Sequence, residues 1–171
     1  LANYHFWVGL LGMMFYVGGH PDYNGIWLVG LGKGETQKYL FKFENNAFVK
    51  KVPFRDTMFA TSNVGIYVGS RGDVWWANTS GEILQYAADA DTWSFFPQAN
   101  RNVSVRGIAG FSHDNRDEVW FVGNELLKDL AVATHYDGIS WHRYALDPVN
   151  PDSGRSYLRA AWAGDNEVWL I

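Results

Sequence analysis

Short apolar runs alternate with polar turns along the whole chain, and no segment keeps a helical period. Apolar side chains recur at every second position in runs of roughly four to eight residues, as in half-buried strands. Turn residues (Gly, Asn, Asp and Ser) interrupt these runs about every 8–12 positions. The helix-like stretch NELLKDLAVA, residues 124–133, is long enough for one helical turn at most. The pattern predicts an all-β protein of short antiparallel strands.

Four segments of the chain have nearly the same strand-like sequence. The four copies read DYNGIWLVG, RGDVWWANT, RDEVWFVGN and GDNEVWLI, and they start at residues 22, 71, 116 and 164. Their tryptophans, Trp27, Trp75, Trp120 and Trp169, are 48, 45 and 49 residues apart. A repeat of this length made of strands is typical of β-propellers, in which each unit is a four-stranded blade.

Residues 1–171 are therefore predicted to form a single β-propeller region of about three and a half blades. The predicted blades span approximately residues 10–54, 58–97 and 103–146, and an incomplete fourth blade spans 156–171. Propellers close their ring to remove exposed sheet edges. Three arrangements remain open: part of a longer propeller, a small four-bladed ring, and half of a larger ring built from two chains.

Aromatic residues make up 17% of the chain, so rings must fill much of its core. We expect the four repeated tryptophans to fill the gaps between neighbouring blades, because a large ring at a fixed position buries much area at little entropic cost. Trp93 and Trp141 follow the turn into the fourth strand of their blades and are predicted to add a further layer. All six are interpreted as structural residues.

The repeat resembles those of known bacterial propellers. GDVWWANTSGEILQYAADADTWSFFP is similar to the repeat of two-component-regulator sensor propellers, and RDEVWFVG with THYDGISWHRYAL resembles repeats of the form D-V-W-x-V-G followed by Y-D-G-x-x-W. THYDGISW nearly reproduces the Asp-box of sialidase-type propellers, and SGEILQYAADADTW is similar to blades of streptogramin-lyase propellers. The catalytic His and Glu of the lyases match no motif here, so no catalytic residue is carried over. The resemblance implies a propeller and leaves its function open.

Composition excludes several kinds of site. The net charge is −4 and no Lys/Arg cluster is present, which disfavours nucleic-acid binding. Cysteine is absent, which removes disulfides and thiolate sites, and no zinc, calcium or phosphate-loop motif is present. The apolar opening segment, residues 1–19, contains Asn3, His5 and four glycines, so we expect buried strands rather than a membrane span. The turn SHDNRDE, residues 112–118, is expected to be solvated. No catalytic residue, metal site or cofactor is predicted.

Two arginines occupy equivalent blade positions before runs of small residues, Arg106 in SVRGIAG and Arg159 in YLRAAWAG. With Tyr157 they are the predicted ligand-binding residues, on the face over the central channel, where propellers bind ligands. A guanidinium could hold a carboxylate or a phosphate through two hydrogen bonds. The alternative is a structural role, in which each arginine caps or stacks between blades.

The favoured function is a non-catalytic binding or interaction propeller, such as an extracytoplasmic sensor or surface module. Its partner would be a protein, a small molecule or a glycan. The alternatives are a lyase or glycan-acting hydrolase that uses the channel face, and a structural subunit of a larger assembly. A homo-oligomer and a continuation in a longer chain are both compatible with the strand count.

Overall fold

The computed structural model describes residues 16–19, 25–31, 37–54, 63–97, 102–114, 116–126, 130–146, 161–163 and 168–170. These residues form fourteen β-strands and no helix. The strands are grouped into three four-stranded sheets and one two-stranded sheet, all antiparallel. The all-β prediction with four-stranded blades is confirmed.

Each sheet is a meander whose strands follow one another in sequence order. Blade 1 contains β1 (Tyr16–Gly19), β2 (Ile26–Leu31), β3 (Lys38–Glu44) and β4 (Ala47–Pro53). Blade 2 contains β5 (Asn63–Val68), β6 (Val74–Asn78), β7 (Ile83–Ala87) and β8 (Thr92–Phe95). Blade 3 contains β9 (Val103–His113), β10 (Arg116–Glu125), β11 (Ala131–Tyr136) and β12 (Trp141–Leu146), and blade 4 contains β13 (Ala161–Ala163) and β14 (Val168–Leu170).

The first strands of the blades stand next to one another. β1 packs against β5, β5 against β9, and β9 against β13. The sheets therefore fan outward from a common inner edge, with each blade lying face to face on the next. The first strands form the inner wall, which is where a propeller channel lies.

The short turns have residues that fit their backbone conformations. In the β3–β4 hairpin, Asn45 and Asn46 have φ values of 49° and 64°. Two successive left-handed residues make a type I′ turn, whose twist matches that of the flanking strands, and Asn tolerates this conformation. Asn45 and Asn46 are thus the tip of a tight hairpin, in which Glu44 pairs with Ala47.

Alternation along each strand sends side chains to two opposite faces, and each face is buried by a different neighbour. We call the face toward the next blade the forward face and the opposite one the backward face. One core cluster joins the forward face of blade 1 to the backward face of blade 2, for example Val29 and Leu40 with Val74 and Leu84. A second cluster joins blades 2 and 3 in the same way.

The repeated tryptophan occupies the same position in both interfaces. Trp27 on β2 lies 5.5 Å from the ring of Tyr86 in blade 2, and Trp75 on β6 lies 5.0 Å from Tyr136 in blade 3. Both are fully buried. Trp93 on β8 pairs with Tyr86, and its ring contacts that of Tyr86 at 5.1 Å with the two planes tilted by 52°. In each interface, a tryptophan of one blade thus packs against a pair of aromatic residues of the next blade.

The other tryptophans differ in burial. Trp141 is partly buried and lies 5.0 Å from Tyr136, in the place that Trp93 has in blade 2. Trp120 is partly buried on the forward face of blade 3, and Trp169 on β14 is 58% exposed. The four tryptophans therefore occupy equivalent strand positions, and how deeply each is buried depends on whether another sheet covers it.

No helix in the described part of the chain is long and apolar enough to cross a membrane. The opening segment that we predicted to be buried strands lies outside the described residues, apart from Tyr16–Gly19, which form β1.

The difference in burial between Trp75 and Trp169 can be tested by substitution. Replacing Trp75 with alanine should lower the free energy of unfolding by about 3–5 kcal/mol, because a fully buried ring is lost from between two blades. Replacing Trp169 with alanine is the matched control and should cost less than about 1 kcal/mol, since that ring is mostly exposed. Urea titration followed by circular dichroism measures both. Equal losses in the two variants would contradict this account of the interface.

Candidate binding surfaces of the third blade

The inner strand of blade 3 contains a β-bulge at Arg106. β9 and β10 pair regularly until Gly107 meets Val122, and the next pair is Val105 with Gly123. Arg106 is therefore the extra residue on β9 and has no partner position on β10. Bulges re-aim a side chain that would otherwise follow the alternation of the strand. Here Arg106 is exposed, whereas Ser104 and Val105 before it are buried.

Gly123 makes this bulge possible. A Cβ atom at position 123 would lie 2.0 Å from the backbone oxygen of Ser104 and 3.0 Å from the Cα of Val105. No side chain fits at such distances, so the close approach of β9 to β10 requires glycine here. The position and the outward direction of Arg106 thus depend on Gly123 across the strand pair.

The guanidinium of Arg106 is directed away from the packed interior. Within the described residues it makes no hydrogen bond or ion pair, whereas Arg71 is 3.2 Å from Asp73 and Arg143 is 3.7 Å from Glu125. Arg106 lies on β9, which is the first strand of its sheet and packs against the first strands of the neighbouring blades. Arg159 and Tyr157, the other two predicted ligand-binding residues, lie outside the described residues.

A second group of polar side chains lies on the forward face of blade 3. His135 Nε2 is 3.2 Å from Glu118 Oε2, and His142 Nε2 is 2.7 Å from Asp137 Oδ2. The two imidazole rings are 6.0 Å apart on adjacent strands, since His135 pairs directly with His142. We call these four residues the histidine row. Neither histidine pair was predicted from the sequence, because each joins residues from different positions in the blade.

Burial and hydrogen bonding shift the pKa values in the histidine row in known directions. Burial lowers the pKa of His135 below its ordinary value, against the opposing attraction of Glu118. The backbone N–H of Ser140, followed by the His142 ring and the N–H of Ile139, lowers the pKa of Asp137. Asp137 is therefore a carboxylate held in its turn by three donors, and His135 favours its neutral form.

Aromatic rings continue the same face beside the histidine row. Trp120 stacks on His135 with ring centres 4.1 Å apart and planes 10° from parallel, and Tyr144 stacks on the same tryptophan at 5.8 Å and 21°. Tyr144 is 43% exposed. Together with Val122, Ala131, Ala133 and Leu146, Trp120 forms a third core cluster, whose described members all belong to blade 3.

The second residue of β10, Asp117, is a buried carboxylate that pairs with Ser112 on β9. Ser112 Oγ donates to Asp117 Oδ1 at 2.7 Å, and the indole N–H of Trp75 donates to Asp117 Oδ2 at 3.4 Å. The carboxylate lies directly over Gly69 of blade 2, where a Cβ would be 2.2 Å from Oδ1. Because the one hydroxyl hydrogen of Ser112 is used in the hydrogen bond to Asp117, Tyr67 is the donor in its own hydrogen bond to Ser112 Oγ, 3.1 Å away. This network connects blade 2 to blade 3.

The prediction that the turn SHDNRDE is solvated is wrong at Asp117. Asp114 in the same turn has a side chain that is 83% exposed, as expected, but Asp117 is only 5% exposed. Burial raises the pKa of Asp117, while the hydrogen bonds from Ser112 and Trp75 act in the opposite direction. Asp117 is therefore part of the joint between blades and is closed to ligands.

The described part of the chain contains no group of three or more His, Asp or Glu side chains that could hold a metal ion. The histidine row consists of two separate pairs, each with one imidazole and one carboxylate.

No protein-family model matches the sequence, and no curated protein matches it. The fold, however, matches solved structures. A streptogramin B lyase superposes with a TM-score of 0.59 at 17% identity, covering 92% of this chain and 47% of the lyase chain. A catalytically inactive virginiamycin B lyase from Staphylococcus aureus with quinupristin gives 0.61 at 16% identity, with coverages of 93% and 49%. YCF48 bound to D1 peptide gives 0.54 at 12% identity, with coverages of 93% and 46%.

These likenesses confirm the β-propeller fold and, at such low identity, show the fold alone. The chain spans about half the length of each matched structure. This agrees with the predicted partial propeller.

The bulge at Arg106 predicts a specific sensitivity at Gly123. Replacing Gly123 with alanine should lower the free energy of unfolding by about 2 kcal/mol or more, because the added Cβ meets backbone atoms that cannot move aside. Gly65→Ala is the control, since its Cβ would meet only a methyl group of Ile108, at 3.1 Å, and should cost less than about 1 kcal/mol. Thermal melts compare the two. A neutral Gly123→Ala variant would contradict the close approach of the strands.

Asp117 predicts a particular pH dependence. Because its pKa is raised in the folded state, the folded protein binds this proton more tightly than the unfolded chain, and stability is lost as the pH rises from about 4 through the folded-state pKa. Asp117→Asn cannot ionise, so its stability relative to the parent should increase between pH 4 and pH 7. Urea midpoints at the two pH values measure this. Asp114→Asn removes the same charge at an exposed site and is the control. Identical pH profiles for the parent and Asp117→Asn would contradict the assignment.

Proposed function

We propose that this chain is a binding module without catalytic activity, which recognises an acidic segment of a protein partner at the channel side of its inner strands. The observation that carries the proposal is the exposed Arg106, raised from the inner wall by a bulge. A guanidinium outside any ion pair among the described residues can hold a carboxylate through two parallel hydrogen bonds. Arg159 and Tyr157 are proposed to belong to the same site on the basis of their sequence positions.

The contacts of the histidine row and of Asp117 agree with a binding role. Each imidazole of the histidine row is engaged by a carboxylate on the face of a blade, away from the inner wall. Asp117 is buried between blades. YCF48, a protein of the same fold, was solved bound to a peptide, which supports peptide recognition as a use that this fold permits.

We further propose that the module works outside the cytoplasm, as part of a sensor or surface protein. The support is the resemblance of its repeats to two-component-regulator propellers. Fractionation of cells that express the intact gene, followed by immunoblotting, tests this proposal, and recovery in the cytoplasmic fraction alone would refute it.

A lyase is the second candidate, because several of the matched structures are streptogramin or virginiamycin B lyases. Incubation with quinupristin followed by mass spectrometry separates the two functions. Under the binding proposal quinupristin is recovered intact, and its conversion would favour the lyase.

Arg106 predicts the outcome of a binding experiment. Fluorescein-labelled peptides rich in Asp and Glu, with Asn/Gln versions as the uncharged comparison, are titrated with the protein, and fluorescence anisotropy is followed. Arg106→Ala should weaken binding of the acidic peptides roughly tenfold or more, because a charge-assisted hydrogen bond contributes about 1.5–3 kcal/mol. Arg106→Lys should keep part of the affinity, since it retains the charge without the planar fork.

Arg143→Ala is the matched control, because this arginine is on the outer strand and faces Glu125. It should leave peptide affinity unchanged. Unchanged affinity in Arg106→Ala together with a lower melting temperature would instead assign Arg106 a structural role.

A further inference from the structure

The bulge that exposes Arg106 in blade 3 is present at the same position in blade 2. On β5, the residues before and after Val64 pair with Asn78 and Ala77, which are consecutive on β6. Val64 is therefore an extra residue without a partner position on β6, as Arg106 is on β10. Ala77 and Val122, which pair with the residue after each bulge, both follow the repeated tryptophan by two positions. Val64 and Arg106 are thus equivalent residues of the repeat.

The side chains at the two bulges have opposite chemistry. Val64 is apolar and partly buried, and it packs against the core cluster that joins blades 2 and 3. That cluster includes Val105, the residue directly before Arg106, whereas Arg106 itself is exposed. Because a bulge residue stands outside the regular alternation of its strand, its side chain can differ between blades while the two sheet faces keep their packing. This position is therefore one where blades of the same architecture can differ in what they bind.

The two bulges are also close in space. β5 packs against β9, and a Cβ atom at Gly65, the residue after Val64, would lie 3.1 Å from Cγ2 of Ile108. Ile108 is two residues after Arg106, so the two bulges lie at nearly the same level of the inner wall. Successive side chains on one face of an extended peptide are about 7 Å apart. A peptide whose carboxylate is held by Arg106 can therefore place a neighbouring side chain near Val64.

We propose that Val64 determines the specificity of the Arg106 site by contacting an apolar side chain next to the bound carboxylate. The ligand is then an acidic segment in which a bulky apolar residue, such as leucine, lies near an aspartate or a glutamate. An apolar contact removes further surface from water, and it also shields the ion pair at Arg106 from solvent, which strengthens that pair. The inference rests on the proposed function, because Val64 can select among ligands only where Arg106 binds one.

Three fluorescein-labelled peptides of equal length provide the experiment, with binding followed by fluorescence anisotropy. Each has a central Glu, and the positions two before and two after it are both Leu, both Ser or both Glu. The parent protein should bind the Leu peptide about fivefold or more tightly than the Ser peptide. Val64→Arg gives blade 2 the residue that the same bulge already accommodates in blade 3, and it should shift the ratio of affinities for the Glu and Leu peptides about tenfold or more toward the Glu peptide. Val49→Arg adds the same charge at a valine of the outer strand β4 that is 54% exposed, and it should leave this ratio unchanged.

Val64→Thr keeps the branched shape of the side chain, and it should reduce the preference for the Leu peptide over the Ser peptide to less than about twofold. This variant decides the outcome if Val64→Arg lowers the melting temperature. Equal binding of the Leu and Ser peptides that still depends on Arg106 would overturn this inference and leave the proposed function standing. So would a preference for the Leu peptide that Val64→Thr retains, because the apolar contact would then lie elsewhere. Failure of the parent protein to bind any of the three peptides would refute the proposed function, and this inference with it.

Discussion

The structure depends on one repeated contact, in which the tryptophan of a second strand packs on the tyrosine of the next blade. A four-stranded sheet with two apolar faces cannot bury either face alone, so each blade is stable only through its neighbours. Trp27 and Trp75 each close one such gap. The contact forms although the indole N–H of Trp27 is buried without a hydrogen-bond partner among the described residues, which costs the free energy of removing that group from water. Trp75 instead donates to Asp117.

This contact also explains why so much of the fold could be predicted from the sequence. The spacing of the tryptophans sets the length of the unit, and alternation within each strand decides which side chains face forward and which face backward. Trp75 and Trp76 show this, since adjacent residues on β6 face opposite neighbours and belong to different core clusters. A strand covered on both faces needs large residues at successive positions, and such a run is visible in the sequence.

The features that sequence reasoning missed depend on contacts between residues far apart in the chain. Asp117 lies in a charged turn like any solvated turn, and its burial requires the bare backbone of Gly69 in another blade and the hydroxyl of Ser112. In the same way, Arg106 was predicted as a channel residue from its repeated position. The bulge shifts the alternation of β9, so that Val105 and Ile108 pack in the same cluster, but the run of small residues after Arg106 hides this shift in the sequence. Only the pairing of β9 with β10 reveals the bulge that exposes Arg106.

Comparing equivalent strand positions in different blades distinguishes residues that hold blades together from residues that are free to contact a ligand. Lys50 of blade 1 occupies the place of His142 in blade 3, and it crosses the gap to Asp91 of blade 2 at 3.0 Å. The charged residue at this position of blade 1 is therefore part of an inter-blade contact. In blade 3, by contrast, each imidazole of the histidine row is paired with a carboxylate of the same blade. Arg106, exposed on the innermost strand of blade 3, makes no such contact among the described residues, and for that reason we propose it as a ligand-binding residue.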